Sequence, residues 1–196
     1  MDAEGLILAG GKSSRMGGRH KGSLMYREET FVQRLIRELQ QGTEQIWLSY
    51  GCDRHETYAE CSILTDIYPD CGPIGGIHAG LSACGCEWML VAACDMPFLK
   101  IELFRYLWKE LEQAESEEYA GAVPVVKGRI HPLAAIYRKR IAGILEKQIV
   151  TGSLRLRDAL GRMKILYVDV SDIREYAEML RNINTIEEYE ELTGRE

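Results

Sequence analysis

Along the chain, short apolar runs alternate with longer stretches in which apolar positions recur every three or four residues. The runs at 5–8, 45–50, 62–65, 88–93, 121–126, 131–137 and 164–168 predict buried strands. Between them, Val32, Leu35, Ile36 and Leu39 fall at i, i+3, i+4 and i+7, and Leu103, Leu107 and Leu111 repeat every four residues, which predicts amphipathic helices. Later helices are predicted at 141–148, 154–160, 173–179 and 186–192, the last opened by a capping box from Thr185 to Glu188. Strands alternating with helices predict an α/β fold: a mainly parallel, twisted sheet flanked by helices. The 196 residues suit one domain spanning 1–196, with no internal repeat and no Pro/Gly/Ser linker to divide it.

Charge narrows the partners. The formal net charge of −6 disfavours a general electrostatic grip on nucleic acid or an anionic membrane, so any anion must be held locally. The opening MDAEGLILAGG lacks a basic leader region, and no apolar stretch reaches the roughly 20 residues of a membrane helix, so a cytoplasmic protein is expected. The six cysteines include no CxxC pair, which favours free thiols in a reducing compartment over disulfides or a metal thiolate.

Three stretches carry chemistry. From Gly5 through Arg27 there is no acidic residue, whereas Lys12, Arg15, Arg19, Lys21 and Arg27 are basic, a local anion site in an acidic chain. If 6–8 belongs to the first strand, Ala9-Gly10-Gly11 leaves its carboxyl end, where open α/β sheets bind ligands. Glycines there let backbone N–H groups approach phosphates or a base edge, with Arg15 and Lys21 as phosphate-binding cations. A Walker A loop is excluded, because Gly5-LILA-Gly10-Gly11-Lys12-Ser13 is one residue too long, and the dinucleotide fingerprint GxGxxG is absent. In WMLVAACDMPFL, Asp95 follows an apolar strand and precedes Pro97, so it belongs to the same rim, either as a magnesium ligand or as a turn or helix-capping residue. In TDIYPDCGPIGGIHAGL, Asp66 also follows a strand, and Gly72, Gly75, Gly76 and Gly80 allow backbone to pass beneath a bulky ligand or simply to turn.

The ordered set LAGGKSSRMGGRHK, DIYPDCGPIGGIHAGL, CDMPF, HPLAAIYRKR and NINTIEEYEEL resembles the molybdenum cofactor guanylyltransferase family from residue 6 to residue 192. The resemblance implies a nucleotide-diphospho-sugar-transferase-like, Rossmann-like fold with a GTP-binding N-terminal half and a pterin-facing C-terminal half. It implies GMP transfer from GTP to molybdopterin with release of pyrophosphate, Mg²⁺ as cofactor, and partners in cofactor biosynthesis and delivery to molybdoenzymes. Carried over by the resemblance, Leu8, Ala9 and Gly10 contact nucleotide with Gly11 beside them, and Arg15 and Lys21 hold phosphates. Asp66 lies at a nucleotide contact, Ser49 at a position where the family often has a base- or ribose-contacting Asn, and Asp95 at the metal and nucleotide aspartate. Gly75, Gly76 and Gly80 match the segment facing the pterin, and Asn182 and Asn184 match polar positions associated with molybdopterin. Three positions depart from the family pattern: His20 for an acid, Ser49 for Asn, and Ile186 for Pro. The competing expectations are a related transferase using CTP or a sugar-phosphate acceptor, and a noncatalytic adaptor binding GTP and molybdopterin.

Overall fold

The computed structural model describes residues 1–10, 21–51, 56–114 and 116–194. The chain opens with strand β1 (Ala3–Leu8), buried along its whole length. Its alternating side chains feed two cores: Ala3 and Ile7 point to one face of the sheet, Leu6 and Leu8 to the other. A two-residue hairpin follows, β2 (Met25–Tyr26) and β3 (Glu29–Thr30), whose turn residues Arg27 and Glu28 both take positive φ. Such a primed turn matches the strand twist, although neither residue is glycine or asparagine.

Helix α1 (Phe31–Leu39) starts on a capping box in which the Thr30 side chain accepts from the Gln33 N–H and the Gln33 side chain answers to Thr30. The predicted stripe Val32, Leu35, Ile36 and Leu39 is its buried face. Strands β4 (Ile46–Ser49) and β5 (Ser62–Leu64) come next, then α2 (Pro73–Ala83), which carries Pro at its start and is buried from Ile74 through Leu81. Strand β6 (Trp88–Ala93) is also wholly buried. Helix α3 (Ile101–Gln113) buries Leu103, Leu107 and Leu111 as their spacing predicts.

The second half comprises β7 (Gly121–Val126), β8 (Arg129–Ile130), β9 (Ala134–Arg138), α4 (Ala142–Val150), α5 (Leu156–Leu160), β10 (Ile165–Asp169), α6 (Arg174–Met179) and α7 (Ile186–Thr193). The main sheet runs β10-β7-β9-β6-β1-β4-β5, with β8 paired to β7. β1 is parallel to β4 and β6, β4 to β5, and β7 to β10. β9 runs against both of its neighbours, and β8 against β7. The expected mainly parallel sheet therefore holds, with an antiparallel insertion that begins at the Lys127-Gly128 turn. Both turn residues have positive φ, and a two-residue connection can join only antiparallel strands.

Helices α1 and α3 cover one face of the sheet, and α2, α4 and α5 the other. A third cluster, Leu24, Tyr26, Phe31, Ile183 and Leu192, lies outside these layers and fastens the C-terminal segment to the residues between β1 and α1. Among the described residues, no helix is long and apolar enough to cross a membrane.

Candidate active site

Parallel pairing brings the carboxyl ends of β1, β4, β5 and β6 to one rim. β1 lies between β4 and β6, so its exit, Leu8-Ala9-Gly10, is flanked by Ser49 on one side and Cys94-Asp95 on the other. The exits are bonded together: the Ala9 and Gly10 N–H groups both donate to the Ser49 carbonyl (2.8 and 3.2 Å), and the Cys94 N–H donates to the Leu8 carbonyl (3.0 Å). The Gly10 N–H, expected to face a ligand, is thus spent on a neighbouring strand. Glycine is needed there for another reason: a Cβ would lie 2.6–2.9 Å from the Tyr50 and Gly51 backbone.

Two side-chain groupings stand on either side of this exit. On the β6 side, Lys21 Nζ lies 3.3 Å from Asp95 Oδ2 and donates to Asn184 Oδ1 at 2.7 Å. Both members of the ion pair are about four-fifths buried, with side-chain exposures of 22% and 19%. At an effective dielectric near 20, such a pair attracts by about 5 kcal/mol before desolvation is subtracted. The Asp95 carbonyl accepts from the Ile183 N–H at 2.7 Å, so the C-terminal segment is anchored on the same residue. Asp95 does not cap the next helix, since the residue before α3 is Lys100. Its Oδ1 is buried and accepts no hydrogen bond among the described residues. A buried carboxylate oxygen without a donor is costly unless something positive completes it.

On the β4 side, Ser49 is 3% exposed and its hydroxyl donates to Asp66 Oδ1 at 2.8 Å, while its Oγ accepts from the Gly51 N–H at 3.3 Å. Burial raises the Asp66 pKa above the usual carboxylate range, opposed by the Ser49 hydrogen bond and by His78. Gly75 and Gly76 open the space for this carboxylate: a Cβ on Gly75 would lie 3.3 Å from Asp66 Oδ2, and one on Gly76 would lie 3.1 Å from Ser49 Oγ and 2.7 Å from Leu8. Gly80 sits one turn further along α2, where a Cβ would meet Leu6 at 2.7 Å and Met89 at 3.0 Å. Those neighbours are fully buried, so the structure gives Gly80 a packing role in the core.

Gly11 and Arg15 lie outside the described residues, as does the departure His20. Asn182 is half-buried, two residues before Asn184. Ile186, found where the family pattern has Pro, is the first residue of α7 and packs on the Leu24–Phe31–Ile183–Leu192 cluster. Proline suits that position because its N–H is not needed there; isoleucine keeps the apolar contact instead.

Two features bear on chemistry. Cys94 lies next to Asp95, but complete burial pushes its thiol up to about 12, so it is neutral and unsuited as a nucleophile near pH 7. His78 and His131 are both shifted down by burial and are neutral at that pH. No grouping of three or more His, Cys, Asp or Glu able to hold a metal occurs among the described residues. The donor set nevertheless fits Mg²⁺, which takes one or two carboxylates and completes its shell with water and substrate phosphates. Asp95, whose Oδ1 has no partner among the described residues, is the residue that would hold it.

The sequence marks Lys21 and Asn184 separately, for different ligands, but not their contact, because the two are separated by 163 positions.

The comparisons with known proteins bear on the family and the fold. Residues 5–166 match the family model described as MobA-like NTP transferase domain. The chain is 35% identical over 191 residues to a probable molybdenum cofactor guanylyltransferase of Clostridium perfringens, covering 95% of this chain and 93% of the relative. It is 31% identical over 186 residues to the protein of that name in Flavobacterium johnsoniae, covering 95% and 94%. Among solved structures, molybdopterin-guanine dinucleotide biosynthesis protein A from Archaeoglobus fulgidus superposes with a TM-score of 0.79 at 26% identity, covering 98% of this chain and 97% of that one. The 2-C-methyl-D-erythritol 4-phosphate cytidylyltransferase of Thermus thermophilus shares the fold at a TM-score of 0.68 and 11% identity, covering 97% and 96%. With its rim of strand ends and near-full-length relatives, the chain belongs to the MobA-like NTP transferase family.

Proposed function

We propose that this protein transfers GMP from GTP to the phosphate of molybdopterin, giving the guanine dinucleotide form of the cofactor and pyrophosphate. The observation that carries the reading is the Lys21–Asp95–Asn184 grouping at the rim of strand ends, in which Asp95 Oδ1 is buried and accepts no hydrogen bond among the described residues. The names of the relatives supply the substrates; the geometry supplies the phosphate and cation chemistry.

In this reaction a phosphate oxygen of the acceptor bonds to the α-phosphorus of GTP, and the bond from that phosphorus to the bridging oxygen breaks. The electron pair leaves on pyrophosphate. The acceptor phosphate is already ionised near neutral pH, so no general base is required, and neutral, buried His78 and His131 have no assigned part. Asp95 would hold Mg²⁺, which when bound would supply Lewis-acid stabilisation of charge on the phosphate oxygens. Lys21 carries three N–H donors; two point at Asp95 and Asn184, leaving a third for a phosphate oxygen as charge builds up. Asp66, braced by Ser49, accepts N–H or O–H donors of the nucleoside. Leu8 and Ala9 form the floor between the two groupings, with Gly75 and Gly76 keeping the Asp66 side open. Arg15 and Gly11 belong to the same site by resemblance, as phosphate ligand and nucleotide contact. The proposed setting is the cytoplasm, where thiols such as Cys61, Cys84, Cys86 and Cys94 stay reduced.

Asp95→Asn tests the reading, since it preserves shape and an acceptor for Lys21 while removing the charge that binds metal. Turnover with Mg²⁺, GTP and molybdopterin should fall by about 100-fold or more with the melting temperature nearly unchanged. Near-normal turnover would refute the metal assignment, and a preference for CTP over GTP in competition binding would overturn the substrate.

A further inference from the structure

The C-terminal segment brings the Asn184 side chain to the site, where it accepts a hydrogen bond from Lys21. Lysine only donates hydrogen bonds, so the 2.7 Å contact fixes which amide atom Asn184 presents, its Oδ1. Asn184 is itself held: its N–H donates to Glu188 Oε2 at 2.6 Å, within the capping box that starts α7. One residue earlier, the Ile183 N–H bonds the Asp95 carbonyl, and the Ile183 side chain is fully buried against Leu24, Phe31 and Leu192. Within α7, the Tyr189 hydroxyl donates to the Met25 carbonyl at 2.9 Å. The segment bearing Asn184 is therefore fastened both to Asp95 and to the residues that follow Lys21.

We propose that Asn184 is a positioning residue for Lys21, holding its ammonium at the triphosphate side of the site, with Glu188 setting Asn184 in place. This rests on the reading of the site given above. It assigns Asn184 to nucleotide binding, whereas the resemblance places it on the acceptor side. A lysine side chain has four flexible carbons, and fixing it before the ligand arrives removes an ordering cost from binding. The last helix thereby becomes part of the nucleotide site.

The test uses the full chain and calorimetric titration with Mg²⁺ and GTP in the absence of acceptor. Lys21→Ala, Asn184→Ala and the double variant are compared, alongside KM for the acceptor in turnover and thermal melts. Asn184→Ala should weaken GTP by about 10-fold, as expected for losing a hydrogen bond to a charged group. The double variant should be no weaker than Lys21→Ala alone, because both changes remove the same interaction, and acceptor KM should stay within about 2-fold. Glu188→Ala, which removes the acceptor of the Asn184 N–H, should weaken GTP by about 3-fold, and Glu188→Gln, which keeps the oxygen that accepts from Asn184, should restore it. If Lys21→Ala weakens GTP but Asn184→Ala does not, or if the two losses multiply, the positioning role is wrong and the site stands. If Lys21→Ala leaves GTP binding unchanged, the site reading fails and the proposal with it.

Discussion

At the scale of single residues, Ser49 brings a different chemistry to a position where the family pattern has Asn. An Asn there has an amide long enough to reach a base or ribose; Ser49 is short, nearly inaccessible, and bonded to Asp66 instead. Its contribution passes through the carboxylate. The hydrogen bond stabilises ionised Asp66 against the burial that raises its pKa, so removing it should raise that pKa further. GTP affinity should decline as pH falls through the Asp66 pKa, because only the carboxylate accepts two donors. In Ser49→Ala this acid limb should move to higher pH, and Ser49→Thr, which retains the hydroxyl, should return it towards wild type. A pH profile of GTP dissociation constants that is the same in Ser49→Ala and wild type would remove Ser49 from this role.

Among the elements, glycine separates joints from mere permissiveness. Gly10 lies where the exits of β1 and β4 touch backbone to backbone, so Gly10→Ala must push the strand ends apart and disturb the bonds from Ala9 and Gly10 to the Ser49 carbonyl. A loss of about 2 kcal/mol in denaturant unfolding, together with weaker GTP binding, is expected. Gly143 in α4 is the counter-case: it is exposed, and a Cβ there would meet nothing within 4 Å. Gly143→Ala should stabilise by about 0.5–1 kcal/mol through helix propensity, leaving GTP binding alone. Equal effects at the two sites would contradict the packing described for β1 and β4.

For the whole molecule, burial of neutral histidines ties stability to pH. His78 and His131 have folded pKa values lowered chiefly by burial, so in mildly acidic solution the unfolded chain binds protons that the folded chain resists. Stability from this source is full above the unfolded value near 6.5 and is lost as pH falls through that value towards the folded ones. Asp66, with its pKa raised, acts in the opposite sense: its burial favours the protonated form, and this contribution is lost as pH rises through its folded pKa. Its unfolded value lies near the ordinary 3.8, so its effect starts from more acidic solution than that of the histidines. The melting temperature should therefore drop between about pH 7.5 and 5.5, and His78→Gln should flatten that drop. A melting temperature independent of pH over this range would show that both histidines titrate freely.

The sequence alone determined the order of the main strands and of the helices other than α2, though not the short β2, β3 and β8, since periodicity and apolar runs report which faces must be buried whatever they are buried against. It also determined three of the residues that meet at the rim: Gly10, Asp66 and Asp95 each follow an apolar run, and parallel pairing puts those ends on one side, whereas Ser49 was marked only by resemblance. The antiparallel course of β9 escaped it, because Lys127-Gly128 signals a hairpin only once both residues are seen at positive φ. What each side chain does there was decided by tertiary structure. Gly80 and Gly76 belong to one glycine-rich helix, yet one faces Leu6 in the core and the other faces Ser49 and Asp66. Lys21 finds Asn184 only after α7 has docked against Leu24 and Phe31. Burial periodicity is written locally in the chain, whereas the partner of a buried charge is chosen by whatever the completed fold brings within hydrogen-bond reach.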